Sequence, residues 1–351
     1  MNSVFNIGNR VIGPNTEPYI IAEVGINHNG NLETALEMID IAKSSGADAI
    51  KFQTFKAEEF CGDHKQQFSY HSAGKEVTES MLSMFKRMEL RNDDWLKIKE
   101  YADKLGITFF STPQNYSDLE LLLPLAIQVI KIGSDDLTNL PLISSYAKTG
   151  LPIILSSGMA DIAEVHKALD AAGWFEGKQV AMLVCTSQYP TPTTDVNIQR
   201  VSTLSAAFPN LVVGFSDHSQ GNEAAIMATA LGAKIFEKHF TFSHDAEGPD
   251  HWFSLDPNEL HAWVKAIRDA HIMLGNGVIA PTQQELKMRE LARRSIVALS
   301  DILEGEVLGN SNIGLRRPGT GLAPEFLRDI LGRSSNKFIS KGETVDWRDL
   351  A

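Results

Sequence analysis

YIIAEVGINHNGNLETALEMIDIAKSSGADAIKFQTF (residues 19–55) holds the unit from which the fold is read. It opens with an apolar run (YIIAEVG, 19–25). It continues through a stretch in which Leu32, Ala35, Leu36 and Ile39 fall at i, i+3, i+4 and i+7, and it ends in a second apolar run (AIKFQTF, 49–55). Strand, amphipathic helix and strand in that order make a βαβ unit with parallel strands. Further runs of strand type follow: ITFFST (107–112), AIQVIKI (126–132), PIILSS (152–157), VAMLVCT (180–186), VVGFSD (212–217) and KIFEKHF (234–240). Segments of helical period or capping character separate them. Eight strands alternating with helices is the number that a closed (β/α)8 barrel, the TIM-barrel architecture, requires.

In such a barrel the chemistry stands at the carboxyl ends of the strands. Those positions hold Glu23, Asn27, Lys51, Gln53, Thr112, Lys131, Ser134, Ser156, Tyr189, Ser216, His218, Glu237 and His239, and they are expected to share one polar mouth. Lys51 and Lys131 each follow an isoleucine on strands two and four. A lysine facing a barrel interior is costly unless paired, so a structural salt bridge is one reading. The other is a cup of ammonium groups and hydroxyls (Thr112, Ser134, Ser156, Ser216) suited to phosphate and carboxylate. His218 and His239 end strands seven and eight. Either alone reads as a satisfied polar residue; as neighbours they can converge on one divalent ion and leave coordination positions open. Asp217, Glu237 and Asp250 are then candidate ligands, or groups that orient the imidazoles.

At 351 residues, 43% hydrophobic and 22% charged, the chain exceeds the roughly 250 residues typical of a barrel, and a second, smaller domain is expected. Asp256, Pro257 and Glu259 open the eighth helix, with Leu260, Trp263, Val264 and Ile267 as its apolar face. LGNGVIAPT (274–282) is punctuation, and QQELKMRELARR is a polar connector. The expected division is a catalytic barrel over 1–280, a linker helix over 281–294 and a β-rich module over 295–351. In that module SIVALSDILEGEVL and NKFISKGETV suggest two similar hairpin-like units. Between them LRRPGTGL (315–322) reads either as a surface turn or as a rigid loop presenting an arginine fork to a polar ligand. A module of this size is marginal alone, so docking would help it.

Cys61 and Cys185 are too few for a disulfide framework, the N-terminus lacks a signal h-region, and no run approaches the roughly 20 apolar residues of a membrane span. A cytoplasmic protein is expected. A net charge of −12 disfavours nucleic acid, and there is no Walker or dinucleotide fingerprint. A small phosphorylated acid fits the lysine cup better.

EVGINHNG (23–30), KFQTFKAE (51–58), FSTP (110–113), IKIGSDDLTNLPLI (130–143), IILSSGMA (153–160), CTSQYPTP (185–192), GFSDHS (214–219), EKHFTF (237–242) and GPDHWFSLDP (248–257), in this order, resemble the sialic acid synthase family, the NeuB-type synthases of nonulosonic acids. The C-terminal module with LRRPGTGL resembles that family's antifreeze-protein-like (SAF) domain. The resemblance implies condensation of phosphoenolpyruvate with an N-acylated hexosamine, giving a nine-carbon 3-deoxy-2-ulosonic acid and phosphate. It implies a divalent cation on His218 and His239, Mn2+ first, with Mg2+ or Co2+ as substitutes. Lys51, Thr112, Lys131, Ser134, Ser156 and Ser216 would hold phosphoenolpyruvate. Glu23, Gln53, Tyr189 and Asp250 would hold sugar hydroxyls, with Glu23 also directing the water. In a homodimer whose SAF domains cap the partner barrels, Arg317 would reach the acyl group in trans.

Some positions depart from the best-known pattern. Ser187, also placed among the substrate contacts, stands where several members carry Asn; SDD (134–136) replaces SGE, and STPQN (111–115) replaces STPF. The sugar is thereby left open among N-acetylmannosamine, a 2,4-diacetamido-trideoxymannose, its altrose isomer and a 6-phosphorylated sugar. The segment from Ala57 to Leu90 carries no readable signature. Other classes are a metal-dependent barrel aldolase or sugar isomerase, which needs neither the twin lysines nor the SAF module, and a non-catalytic sugar sensor, which needs neither lysines nor histidines.

Overall fold

Tyr19–Gly25 (β1), Ala49–Thr54 (β2), Thr108–Pro113 (β3), Ile130–Ile132 (β4), Ile153–Ser156 (β5), Val180–Cys185 (β6), Val212–Ser216 (β7) and Ile235–His239 (β8) form one all-parallel sheet in the computed structural model, which describes residues 4–351. The strands are ordered β3-β2-β1-β8-β7-β6-β5-β4. β3 and β4 lie side by side without ladder hydrogen bonds, so the barrel is nearly closed at that seam. The fourth strand is shorter than its sequence run. Pro124 sits in a 3-10 turn over Leu123–Leu125 and Ala126 takes φ 52°, so the chain is still turning where extension was expected.

Successive side chains leave a strand on opposite faces, and that period of two builds the interior. Tyr19, Ile21, Ala49, Phe110, Ile154, Ala181, Leu183, Val212 and Ile235 point inward as one apolar cluster. The alternate residues, such as Ile20, Ile50, Phe52, Leu155, Met182 and Phe236, pack against the outer helices. An N-terminal hairpin, Phe5–Ile7 with Arg10–Ile12, adds Phe5, Ile7 and Ile12 to the inner cluster and so closes the barrel floor. Continuing each inward row toward the carboxyl end gives Glu23, Lys51, Gln53, Thr112, Lys131, Ser156, Cys185, Ser216, Glu237 and His239. The interior is apolar below and polar at the mouth.

The helices follow their caps. Asn31 accepts from the Thr34 amide at the start of Leu32–Ser44, and Asp256 with Glu259 closes a capping box on Pro257–Leu274, whose buried residues are the expected Leu260, Trp263, Val264 and Ile267. On Leu32–Ser44 the buried stripe is Ala35, Met38, Ile39 and Ala42, rotated from the expected one, with Leu32 and Leu36 only partly covered. After β2 the unread segment folds as a short helix (Ala57–Phe60), an antiparallel hairpin (Gln67–Ser72 with Lys75–Ser80) and a helix (Met81–Met88). Ala73 and Gly74 turn the hairpin with φ of 47° and 75°, the left-handed pair that matches strand twist.

The second compact unit runs from Asn276 to Ala351 and includes the helix Gln283–Ala292, capped by Thr282 and Glu285. Its core gathers Ile296, Ala298, Ile302, Leu308, Ile313, Leu322, Ile330, Ile339 and Val345. The two expected hairpin units are instead paired with each other: Val297 bridges Thr344, Ile302 bridges Ile339, and Ser295–Ala298 takes Ile313–Arg316 as its ladder partner. Each segment lacks enough apolar surface to fold back on itself, and interleaving buries both. Among the described residues no helix is long and apolar enough to cross a membrane.

Candidate active site

Two lysines and two carboxylates meet at the mouth. Lys51 Nζ lies 2.9 Å from a Glu23 carboxylate oxygen and 3.6 Å from Glu237, and donates to Thr112 Oγ1 at 3.1 Å. Lys131 Nζ donates to Ser156 Oγ at 2.7 Å and to the Ile132 carbonyl at 3.0 Å, with Glu237 3.9 Å away. Ser216 Oγ donates to Glu237 at 3.1 Å. All eight residues are buried. Burial of a charge is tolerated only with a partner, and here the two signs balance.

The balance is uneven from site to site. Burial raises the Glu23 carboxyl to about 7 although Lys51 opposes it. Burial alone would raise Glu237 too, but Lys131 and Lys51 together carry it below the ordinary carboxylate range. Lys51 is held above its ordinary value because Glu23 and Glu237 outweigh burial, whereas Lys131, mainly desolvated, falls below it. Lys131 is therefore the ammonium least satisfied by the protein. Glu237 Oε2 is buried without a hydrogen-bond partner, room for a proton-bearing ligand group. Glu237, an expected mouth residue and a candidate metal ligand or imidazole orienter, sits between the lysines, and its inward parity with His239 is the signal for that place.

His239 is the last residue of β8, and His218 lies just past β7; their rings are 5.7 Å apart. His218 Nδ1 is 2.7 Å from the Thr186 carbonyl, which can only accept, so Nδ1 carries a proton and the neutral ring has its lone pair on Nε2. His239 Nδ1 is buried without a partner. Burial, with His218 and both lysines nearby, holds His239 far below its ordinary value and keeps it neutral. Cys185 and the Thr186 carbonyl lift His218 against burial. Two converging imidazoles, one with its tautomer fixed and one with an orphaned nitrogen, fit a divalent cation. Gly25, at φ 56°, lies so near that a Cβ would stand 3.1 Å from the His239 ring, which keeps this position free of a side chain.

One candidate ligand or orienter, Asp217, and one expected mouth residue, Asn27, are engaged elsewhere. Asp217 points out of the barrel, where its Oδ2 takes Lys238 Nζ at 2.8 Å and Trp263 Nε1 at 3.1 Å, and its Oδ1 accepts from the Ser219 amide at 2.8 Å and from Ser219 Oγ at 2.6 Å, so both oxygens are engaged. Asn27 braces the loops after β1 and β8, donating to the Phe240 carbonyl at 2.8 Å and to Ser254 Oγ at 3.0 Å. Trp263, expected on the apolar face of the eighth helix, and Lys238, at an outward position of β8, give no sign in sequence that they serve Asp217.

Ser134 and Ser187 converge on Gly158: its amide donates to Ser134 Oγ at 3.0 Å, and a Cβ there would fall 2.2 Å from Ser187 Oγ. The mouth, about 310 Å3, opens into a second chamber of about 610 Å3; Gln53, Phe85, Ser187, Tyr189 and His239 line both. Asp250 lines the second chamber, its carboxyl raised by burial to about 6. The outer wall is aromatic. Phe68, Tyr70 and His71 of the 67–80 hairpin face it, His71 lies 5.2 Å from Trp252, and Ser72 Oγ accepts from the Gly248 amide at 3.0 Å. The segment that carried no readable signature thus supplies this wall. Arg317 belongs to the second unit, on a loop pinned where Ser295 Oγ donates to the Pro318 carbonyl at 2.7 Å and the Gly319 amide donates to Glu290 at 2.8 Å.

Comparison with known proteins agrees with this layout. Residues 38–279 match the model of the NeuB family and residues 293–351 that of the SAF domain. The chain is 38% identical to the N,N'-diacetyllegionaminic acid synthase of Legionella pneumophila over 95% of this chain and 94% of that one. It is 32% identical to the human N-acetylneuraminate-9-phosphate synthase over 96% of this chain and 93% of that one. Among solved structures, the N-acetylneuraminic acid synthetase of Leptospira borgpetersenii serovar Hardjo-bovis superposes with TM-score 0.73 at 34% identity, covering 82% of this chain and 95% of that one. The architecture, the order of motifs and these likenesses agree: the chain belongs to the NeuB family and carries a C-terminal SAF domain.

Proposed function

We propose that this protein condenses phosphoenolpyruvate with the open-chain form of an N-acylated hexosamine, in a metal-dependent reaction that yields a nonulosonic acid and phosphate. The observation that carries the reading is the stacking of a buried lysine and hydroxyl cup beside two converging imidazoles in one mouth. Lys51, Lys131, Thr112, Ser134, Ser156 and Ser216 offer charge-assisted donors to a phosphate and a carboxylate. C3 of phosphoenolpyruvate bonds to the aldehyde carbon, water adds at C2, and the bond from C2 to the bridging oxygen breaks so that phosphate leaves with that oxygen. Glu23, with a carboxyl near 7, can take a proton from the water at neutral pH. A divalent cation on His218 and His239, Mn2+ in the first instance, would supply Lewis-acid polarisation of the aldehyde oxygen. The acting unit is a homodimer in which Arg317 serves the partner's barrel.

For the sugar, the aromatic chamber favours a 2,4-diacetamido-2,4,6-trideoxy hexose over N-acetylmannosamine. Phe68, Phe85, Trp252 and Phe253 suit a C6 methyl and a second acetamido group, while Gln53, Tyr189 and Asp250 remain for hydroxyls and amides. Phosphate release is the test, measured with phosphoenolpyruvate labelled with heavy oxygen at the bridging position and a panel of acylated hexosamines. Release of labelled phosphate only when phosphoenolpyruvate, sugar and metal are all present supports the reading. Turnover with pyruvate, or no release with any sugar, overturns it. A kcat/KM for N-acetylmannosamine above that for the diacetamido sugar overturns the assignment of the sugar alone.

A further inference from the structure

Arg200, the first residue of the helix Arg200–Ala207, is half-buried and makes no ion pair with a carboxylate among the described residues. Its fork is spent on neutral oxygens of one loop. Nη1 donates to the Cys185 carbonyl at 3.1 Å, Nη2 to Thr186 Oγ1 and to the Val196 carbonyl at 3.0 Å, and Nε to the Asn197 carbonyl at 3.3 Å. An arginine desolvated without a counter-charge needs a reason, since it forgoes hydration for weaker acceptors.

The loop it gathers carries the Thr186 carbonyl, which accepts from His218 Nδ1 at 2.7 Å. The same loop returns to the histidine's own backbone, where the Thr191 amide donates to the His218 carbonyl at 2.8 Å. Holding the Cys185 carbonyl and the Thr186 hydroxyl from one planar group anchors the peptide before Thr186 and its side chain, while the Thr186 carbonyl itself also accepts from the Gln188 amide at 2.9 Å within the loop that Arg200 gathers. We propose that Arg200 is a positioning residue: through Thr186 it holds His218 in the Nδ1–H tautomer with Nε2 aimed into the mouth. The inference rests on the metal reading above for its consequence, but not for the tautomer itself.

Two readouts test it. In metal-free protein with 15N-labelled histidine, the His218 signals, identified by their loss in His218→Ala, should show the Nδ1–H form in wild type and a mixture in Arg200→Met. Mn2+ titration should show roughly 10 to 100-fold weaker binding for Arg200→Met, with phosphoenolpyruvate KM unchanged at saturating metal. Arg200→Lys keeps the charge but cannot span the loop, and should fall between. The proposal is overturned if Arg200→Met, or Arg200→Lys should the former not fold, keeps the Nδ1–H form and binds Mn2+ within twofold of wild type. If His218→Ala binds Mn2+ as wild type does, the metal reading fails while the tautomer result still decides the role of Arg200.

Discussion

Lys51 Nζ and a Glu23 carboxylate oxygen stand 2.9 Å apart with both side chains buried, so the lysine proposed to hold phosphoenolpyruvate also neutralises a buried carboxylate of the protein. Breaking a buried pair from one side leaves an uncompensated charge and costs about 3–5 kcal/mol. Lys51→Met should therefore lower Tm and also raise the phosphoenolpyruvate KM by at least roughly tenfold. Because Glu23 titrates near 7, protonating it relieves the variant: its Tm deficit should be smaller at pH 6 than at pH 8. Lys51→Met combined with Glu23→Gln should recover Tm but not phosphoenolpyruvate use. A single variant that keeps both Tm and KM would refute the double role.

That pair shows how far the residues could be read in advance. From sequence, a salt bridge and an anion site are rival accounts of Lys51; the structure shows the salt bridge, whose partners Glu23 and Glu237, with Thr112, come from strands that only the closed barrel brings together. Residues at inward parity, from Glu23 to His239, were legible because a period of two and a strand end suffice to place them. Asp217 and Asn27 were misplaced for want of the outward face: nothing near them in sequence reveals Lys238 and Trp263, or Phe240 and Ser254. The hairpin wall at 67–80 was invisible because its residues are polar and aromatic without a core face, and its meaning lies in contacts to 248–253.

His239 offers a second test, by metal removal. With only two imidazoles on the cation, losing one should weaken Mn2+ binding by orders of magnitude, while His239→Ala relieves a buried, partnerless nitrogen and should not lower Tm. Exhaustive chelation should abolish wild-type turnover, and Mn2+ should restore it. Turnover that survives chelation would remove the cation from the mechanism.

Acid should weaken the barrel through two histidines away from the cation site. Burial lowers His28 to about 3 and His251 to about 4, against an ordinary value near 6.5. Both are neutral in the fold; His251 Nδ1 is 2.6 Å from Thr241 Oγ1 and His28 Nδ1 accepts from the Gly30 amide at 3.0 Å. Below about 6.5 the unfolded chain binds protons that these two histidines refuse in the fold, so the share of stability they carry is full above that pH and declines as pH falls toward 4, against an opposite share from Glu23 and Asp250, whose raised carboxyls take up protons in the fold first. Each histidine contributes a slope of up to about 1.4 kcal/mol per pH unit in that window. In denaturant unfolding from pH 7.5 to 4.5, His251→Gln should lose less stability on acidification than wild type does. An unchanged slope in that variant would assign the acid sensitivity elsewhere.

Arg317 supplies the test of assembly. It stands on a loop where Gly319 and Gly321 admit no side chain, a Cβ falling 2.6 Å from the Arg289 carbonyl at one and 2.5 Å from Thr344 at the other, so the backbone that presents the guanidinium is confined. The same unit exposes Val278, Ile279, Met288 and Leu291, an apolar surface suited to being covered by a second copy. If Arg317 completes the partner's site at the acyl group, Arg317→Ala should raise the sugar KM and spare that of phosphoenolpyruvate. A purified heterodimer of Lys51→Ala and Arg317→Ala subunits is decisive. Acting in trans, one site carries both lesions and the other neither, so the heterodimer regains about half of wild-type activity although each parent homodimer is impaired at both sites. Acting in cis, each site carries one lesion and no recovery appears, which would return Arg317 to its own chain.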